Sequence, residues 1–234
     1  MNLGILFSGG KDSYLAMQMA ADSHEISCLL TMDSRNQDSW MFHTPAIEWT
    51  KLQSKSLGIP QIIQETEGIQ DEELDDLFEL VKNAKKEHSI EGIVTGALAS
   101  TYQSTRIQKI CNKLELWCFN PLWQLSQETL LEKLQTYQIS SIITGVAAEP
   151  FDDSWLGKEL DSSTINELLL YSKEYRINPA GEGGEFESLV INAPMFAKKL
   201  KIISSKIHYS NFSGRLEIKE AKLEIGRASC RERV

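Results

Sequence analysis

The chain has 234 residues, a net charge of −9 and a hydrophobic fraction of 41%, a composition expected of a soluble globular protein with one large or two modest domains. No apolar run reaches the ~20 residues of a membrane helix, and no basic stripe marks a binder of duplex nucleic acid. Its four cysteines, Cys28, Cys111, Cys118 and Cys230, form no CxxC pair, so the expectation is reduced thiols and a cytoplasmic location.

Residues 3–7 are a short apolar run ending at Ser8-Gly9-Gly10, and a helix-compatible stretch follows over 11–21. Residues 26–32 read as a second strand. Thr44 and Pro45 suit the cap and first turn of a helix expected to end at Leu57, before Gly58. A strand is expected at 61–63, and an acid-rich, solvated helix start at 71–76, continuing with Leu74, Leu77, Phe78 and Val81 at helical spacing. A strand at 92–96, a helix at 101–114 and a strand at 116–119 complete the first part. Short apolar strands alternating with longer helices predict an α/β fold built on an open parallel sheet with flanking helices. Ligands in such sheets sit beyond the C-terminal strand ends, so the loops after strands one, two and four are the places to search.

After Pro121 the pattern changes. A helix at 126–137, a strand at 141–146, a helix at 164–175 and strand formers at 189–191, 200–203 and 216–218 predict a smaller α+β domain. The expected division is a first domain at 1–125 and a second at 126–224. Trp155 is expected at their junction. Residues 225–234, with three arginines and no strand or helix period, read as a non-native tail, like a translated sequencing adapter; a natural basic tail is the alternative.

Three motifs carry chemistry. Ser8-Gly9-Gly10-Lys11-Asp12-Ser13 joins the first strand to the first helix. Its glycines allow a tight turn, its amides and the helix N-terminus attract an anion, and Lys11 adds charge. Asp12 would repel a bare phosphate, so its sensible task is to hold Mg²⁺ bridging phosphate oxygens. The order is not that of a Walker A loop; it resembles the pyrophosphate loop of ATP pyrophosphatases. The second motif, residues 181–188, sets Glu182, Glu185 and Glu187 among Gly181, Gly183 and Gly184. It reads either as a solvated acidic turn or as a site for a cation. The third, residues 96–106, follows strand four. Gly96 permits close approach, and Tyr102, Gln103 and Arg106 can share a helix face, either as surface polars or as a clamp for an anion.

These motifs, with residues 31–45, 145–157 and 178–188, occur in an order that resembles the diphthine–ammonia ligase family of the pyrophosphate-loop superfamily, over residues 1–224. Ser188 stands where that family commonly has threonine. The resemblance implies a HUP-like, adenine nucleotide alpha hydrolase-like fold and ATP-dependent amidation of the diphthine carboxylate on elongation factor 2 by ammonium, releasing AMP and pyrophosphate. It implies ATP phosphates on Ser8, Gly9, Gly10, Lys11, Asp12 and Ser13, with Mg²⁺ through Asp12 and adenine near Thr31 and Met32. Gly96 would border the nucleotide. Tyr102, Gln103, Arg106, Glu182, Gly183, Gly184 and Glu185 would face substrate. Lys11 would offset developing charge, and Glu185 or Glu187 would take the ammonium proton. The acids with Trp40 or Tyr102 could instead cage the trimethylammonium, and His43 could contact nucleotide or substrate. Other readings are an amide ligase on another carboxylate, a tRNA-modifying relative, which would favour catalytic cysteines and a basic face, and a nucleotide sensor without turnover. The sequence carries no signal of oligomeric state.

Overall fold

The computed structural model describes residues 1–34, 46–69 and 72–224. Strands β1 (Asn2–Leu6), β2 (Glu25–Ser34), β3 (Gln61–Thr66), β4 (Gly92–Val94) and β5 (Trp117–Phe119) form one parallel sheet in the order β3-β2-β1-β4-β5. Parallel strands need both faces covered, and helices supply the cover. These are α1 (Lys11–Ala21), α2 (Thr50–Leu57), α3 (Glu72–His88) and α4 (Thr101–Lys113). On one face Leu77, Leu80 and Val81 of α3 and Ile107 and Ile110 of α4 pack with Leu30, Met32 and Ile93. β1 has β2 on one side and β4 on the other. The chain therefore leaves β1 and β4 in opposite directions, and a crevice opens between their C-terminal ends.

The second sheet is antiparallel. Its strands β6 (Ser140–Val146), β7 (Phe186–Asn192), β8 (Lys199–Ser210) and β9 (Ser213–Glu224) lie in the order β7-β6-β9-β8, with helices α5 (Gln127–Thr136) and α6 (Ser162–Tyr175) alongside. α1 lies between the two sheets. Tyr14, Leu15, Ala16 and Met17 are all fully buried, and their cluster runs from Leu3 and Ile5 of β1 to Leu130, Leu131 and Leu134 of α5 and Val190 of β7. A helix covered on opposite sides has no solvent stripe, which is why its sequence shows little amphipathic period.

Several expectations change. The helix expected from Pro45 begins at Thr50, after a 3-10 turn at Ile47–Trp49; Thr44 and Pro45 lie outside the described residues, as do Trp40, His43, Cys230 and residues 225–234. Glu73, placed in a solvated helix start, is buried. Trp155 belongs to the interior of the second core, against Phe151 and Tyr171. β8 and β9 are twelve residues each, far longer than 200–203 and 216–218. Residues 203–207 are exposed, so apolar alternation does not report them. Asn211 and Phe212, both left-handed, turn the hairpin between them. β7 starts at Phe186, so Glu187 and Ser188 stand on a strand, not in a loop. Among the described residues no helix is long and apolar enough to cross a membrane.

Candidate active site

A cleft of about 660 Å³ opens at the crevice between β1 and β4. One wall is Ser8, Gly10, Lys11, Asp12 and Ser13; another is Thr95, Gly96, Ala97 and Leu98, with Gln103 and Ile107 from α4. Leu6, Leu30, Met32 and Ile47 make an apolar end. β7 and the turn before it close the far side with Glu182, Gly183, Gly184, Phe186, Glu187 and Ser188.

The Ser8–Ser13 loop is shaped for an anion. Helices α4, α5 and α6 begin with side-chain caps from Ser100, Ser126 and Asp161. The cap position of α1 is Gly10, which has no side chain to cap it, so the N-terminal amides and dipole of α1 are left to other partners. Ser188 of β7 supplies one, accepting from Lys11 N at 3.1 Å. Ser8 and Ser13 face each other, Oγ to Oγ, at 3.1 Å, and Ser13 Oγ donates to Gly10 O. Gly9 adopts φ +79°, and a Cβ there would lie 2.4 Å from Gln53 Oε1. A Cβ at Gly96 would meet Asp12 C and Ser13 N at 2.8 Å. Gly96 is thus required for the α1 N-terminus to approach β4, which a ligand-facing role alone does not convey.

Lys11 is 4% exposed, and its Nζ pairs with Asp12 Oδ2 at 2.7 Å. It also lies 5.4 Å from the Phe186 ring centre. The other Asp12 oxygen, Oδ1, is buried without a partner. An orphaned carboxylate oxygen beside a helix N-terminus that favours an anion fits a divalent cation.

The three glutamates separate. Glu185 is occupied in holding its own turn. Its Oε1 accepts from Asn178 N at 2.9 Å and Asn178 Nδ2 at 2.6 Å, and its Oε2 from Gly183 N at 2.8 Å. Gln127 of α5 extends the brace to Asn178 Oδ1 and Ala180 N. Glu185 is not among the residues lining the cleft. Glu187 is. Burial pushes its carboxyl up to about 7, against the downward pull of Lys11. Glu182 Oε1 accepts from Ala99 N at 3.1 Å, linking the two loops across the cleft, and burial raises its pKa as well.

Other expected residues fall differently. Met32 lines the cleft, while Thr31 is buried beneath it, donating to Phe7 O and accepting from Gln61. Gln103 faces the cleft; Tyr102 and Arg106 are not in its lining. The Arg106 guanidinium covers the Tyr102 ring at 3.4 Å and bonds Tyr102 O. That ring face is therefore closed to a trimethylammonium group, and the shared face of the three residues divides. Cys28, Cys111 and Cys118 are free thiols away from the cleft. Gln53 was not foreseen at all: fully buried on α2, it donates to both Gly9 O and Val190 O. Its helix buries Thr50, Gln53 and Ser56, a polar face at helical spacing that apolar periodicity assigns to solvent.

Comparison with known proteins bears on this arrangement. Residues 1–117 match the family model described as diphthamide synthase N-terminal domain, and residues 126–224 the diphthamide synthase C-terminal domain. The chain is 35% identical over 227 residues to a protein of Bos taurus named diphthine–ammonia ligase, covering 88% of this chain and 85% of that one. It is also 35% identical over 230 residues to a protein of the same name from Homo sapiens, with the same coverage. A solved structure from Methanocaldococcus jannaschii, described as a predicted subunit of tRNA methyltransferase, aligns with a TM-score of 0.41 and 16% identity, over 83% of this chain and 98% of that one.

Proposed function

Since this chain belongs to the diphthamide synthase family, we propose that it amidates the carboxylate of diphthine with ammonia at the expense of ATP, on elongation factor 2 in the cytoplasm. The activity is that of a ligase forming a C–N bond. The observation that carries the site assignment is the shared cleft: an uncapped helix N-terminus with a buried lysine on one wall faces a desolvated glutamate on the other.

The chemistry sets the tasks. A carboxylate resists direct attack by ammonia, because oxide would have to leave. A carboxylate oxygen therefore attacks the α-phosphorus of ATP, the bond from that phosphorus to the bridging oxygen breaks, and pyrophosphate departs. Ammonia then attacks the acyl carbon of the adenylate, and AMP leaves with the C–O electron pair. One proton is lost from nitrogen as the amide forms.

In this reading the amides and hydroxyls of Ser8, Gly9, Gly10 and Ser13 hold the phosphates that leave, and Lys11 offsets charge on the bridging oxygen. Asp12, with its unpartnered Oδ1, would hold Mg²⁺, which supplies charge neutralisation to the phosphates when bound. Leu6, Leu30, Met32 and Ile47 would wall the adenine side, and Gly96 and Gln103 border it. Glu187 takes the proton from ammonium, since only neutral ammonia is a nucleophile; a carboxyl near 7 suits that exchange at neutral pH. Glu182 with Gly183 and Gly184 forms the substrate-side rim, and Glu185 shapes it. The absence of a cysteine among the described lining residues argues against sulfur transfer to tRNA.

The test is incubation with Mg-ATP, ammonium and elongation factor 2 carrying diphthine, with AMP measured and the modified peptide weighed by mass spectrometry. Acid-to-amide conversion matched by AMP is expected. AMP formed without amide would replace diphthine by another carboxylate, and binding of ATP with neither product would overturn the ligase reading.

A further inference from the structure

The Gly9 carbonyl is held by two donors from outside the cleft: Gln53 Nε2 at 2.9 Å and Val190 N at 2.9 Å. Gln53 Nε2 also donates to Val190 O at 2.8 Å, so one side-chain amide ties the loop to β7. The sole cis peptide among the described residues is Glu149–Pro150, so the Gly9–Gly10 peptide is trans. In a planar trans peptide the C=O and N–H point in opposite directions. Anchoring the Gly9 carbonyl toward α2 and β7 therefore turns the Gly10 N–H into the loop, toward Ser8 Oγ at 3.4 Å. That contact is long for a hydrogen bond, so the amide, held in this orientation, is available to a better acceptor.

Gln53 itself is 0% exposed, and its Oε1 is buried without a partner. An apolar side chain of similar size would leave no such orphan, so what the amide contributes is its donor. A peptide between two glycines is the easiest to rotate. If this one turned over, a carbonyl oxygen would face the phosphates in place of an N–H.

We infer that Gln53 is a positioning residue for the phosphate loop, fixing the orientation of the Gly9–Gly10 peptide so that the Gly10 amide donates to bound phosphate. The inference rests on the reading that residues 8–13 hold the phosphates of ATP. It makes the grip on nucleotide depend on α2 and β7, two elements from opposite halves of the chain.

The test compares the full chain with its Gln53→Met variant by calorimetric titration with Mg-ATP, alongside thermal melting without nucleotide. The expected result is an ATP Kd weakened by about tenfold or more, with kcat at saturating ATP changed far less. An unchanged Kd with a lowered melting temperature would reduce Gln53 to a brace and overturn the inference. A second measurement needs no variant. In ¹⁵N-labelled wild-type protein, inorganic pyrophosphate should shift the Gly10 amide resonance strongly; a Gly10 signal that stays in place while its neighbours move overturns the inference even if Gln53→Met does not fold. Wild-type protein that binds neither ATP nor pyrophosphate would overturn the phosphate-loop reading and this inference together. Normal binding with an indifferent Gln53→Met variant would overturn this inference alone.

Discussion

Residues 8–13 and residues 181–188 are both glycine-rich, both line the same cleft, and both carry charged side chains, yet their glycines and charges do different work. In the first loop the glycines let other elements come close: Gly9 meets Gln53 and Thr50 of α2, and Gly10 meets the Ser188 carbonyl of β7. Its charged pair, Lys11 and Asp12, is directed at the cleft. In the second loop Gly181 and Gly184 supply left-handed turns, and one of the three acids, Glu185, serves the turn itself. Glu182 and Glu187 are both desolvated on the cleft wall with Lys11 pulling the other way, but a backbone amide, Ala99 N, claims Glu182, and burial shifts Glu187 further, up to about 7. Identical side chains two residues apart thus part into a shaping group and, in the proposed reaction, the base, according to whether the local backbone claims the carboxylate.

Mutation can break or sharpen this contrast. The largest effect is expected for Glu187→Gln, which removes the proposed base but keeps the shape. Amidation should slow by about 10²–10⁴-fold while ATP affinity, read by titration, stays nearly unchanged. Glu185→Gln should act on stability first. It replaces a side chain whose two oxygens accept three hydrogen bonds by one with a single acceptor oxygen, a loss of about 1–3 kcal/mol measurable by denaturant unfolding, with a much smaller fall in kcat. Gly96→Ala forces a methyl against the α1 backbone and should cost about 1–3 kcal/mol, with ATP binding weakened as the α1 N-terminus shifts. Thr31→Val should have the smallest effect: it removes the bond to Phe7 O and the one from Gln61, which keeps Thr50 as a partner, costs about 1 kcal/mol in unfolding, and leaves the ATP Kd in place.

The sequence made the parallel sheet legible because β1, β2 and β4 are short apolar runs, each closed by a polar or glycine stop, and Ser8–Ser13 was legible because residue order, strand and helix agree. The acidic motif was visible as a cluster, but residue type could not divide Glu185 from Glu187; that needed the hydrogen bonds from Asn178 and Gly183. Gln53 was hidden for a different reason. Apolar periodicity identifies buried faces by their hydrophobic residues, and α2 buries Thr50, Gln53 and Ser56 instead, each with a hydrogen-bond partner. Arg106 shows the converse: its spacing from Tyr102 allows either surface polars or a joint clamp, whereas the two side chains stack on each other.

The division of labour between the two glutamates is tested most directly by pH. Because burial holds the Glu187 proton up to about 7, its base form grows as pH rises through that value. By linkage the same raised pKa lowers folded-state stability as pH climbs from the ordinary carboxylate range toward 7, and Glu187→Gln should flatten that slope. The decisive measurement is ammonium-dependent AMP release from pH 5.5 to 8.5 for wild type, Glu187→Gln and Glu185→Gln under identical ammonium. The wild-type to Glu187→Gln rate ratio should climb through about pH 7 and then level, while the wild-type to Glu185→Gln ratio stays flat. A flat ratio for Glu187→Gln with a climbing one for Glu185→Gln would contradict the assignment and return the base to Glu185.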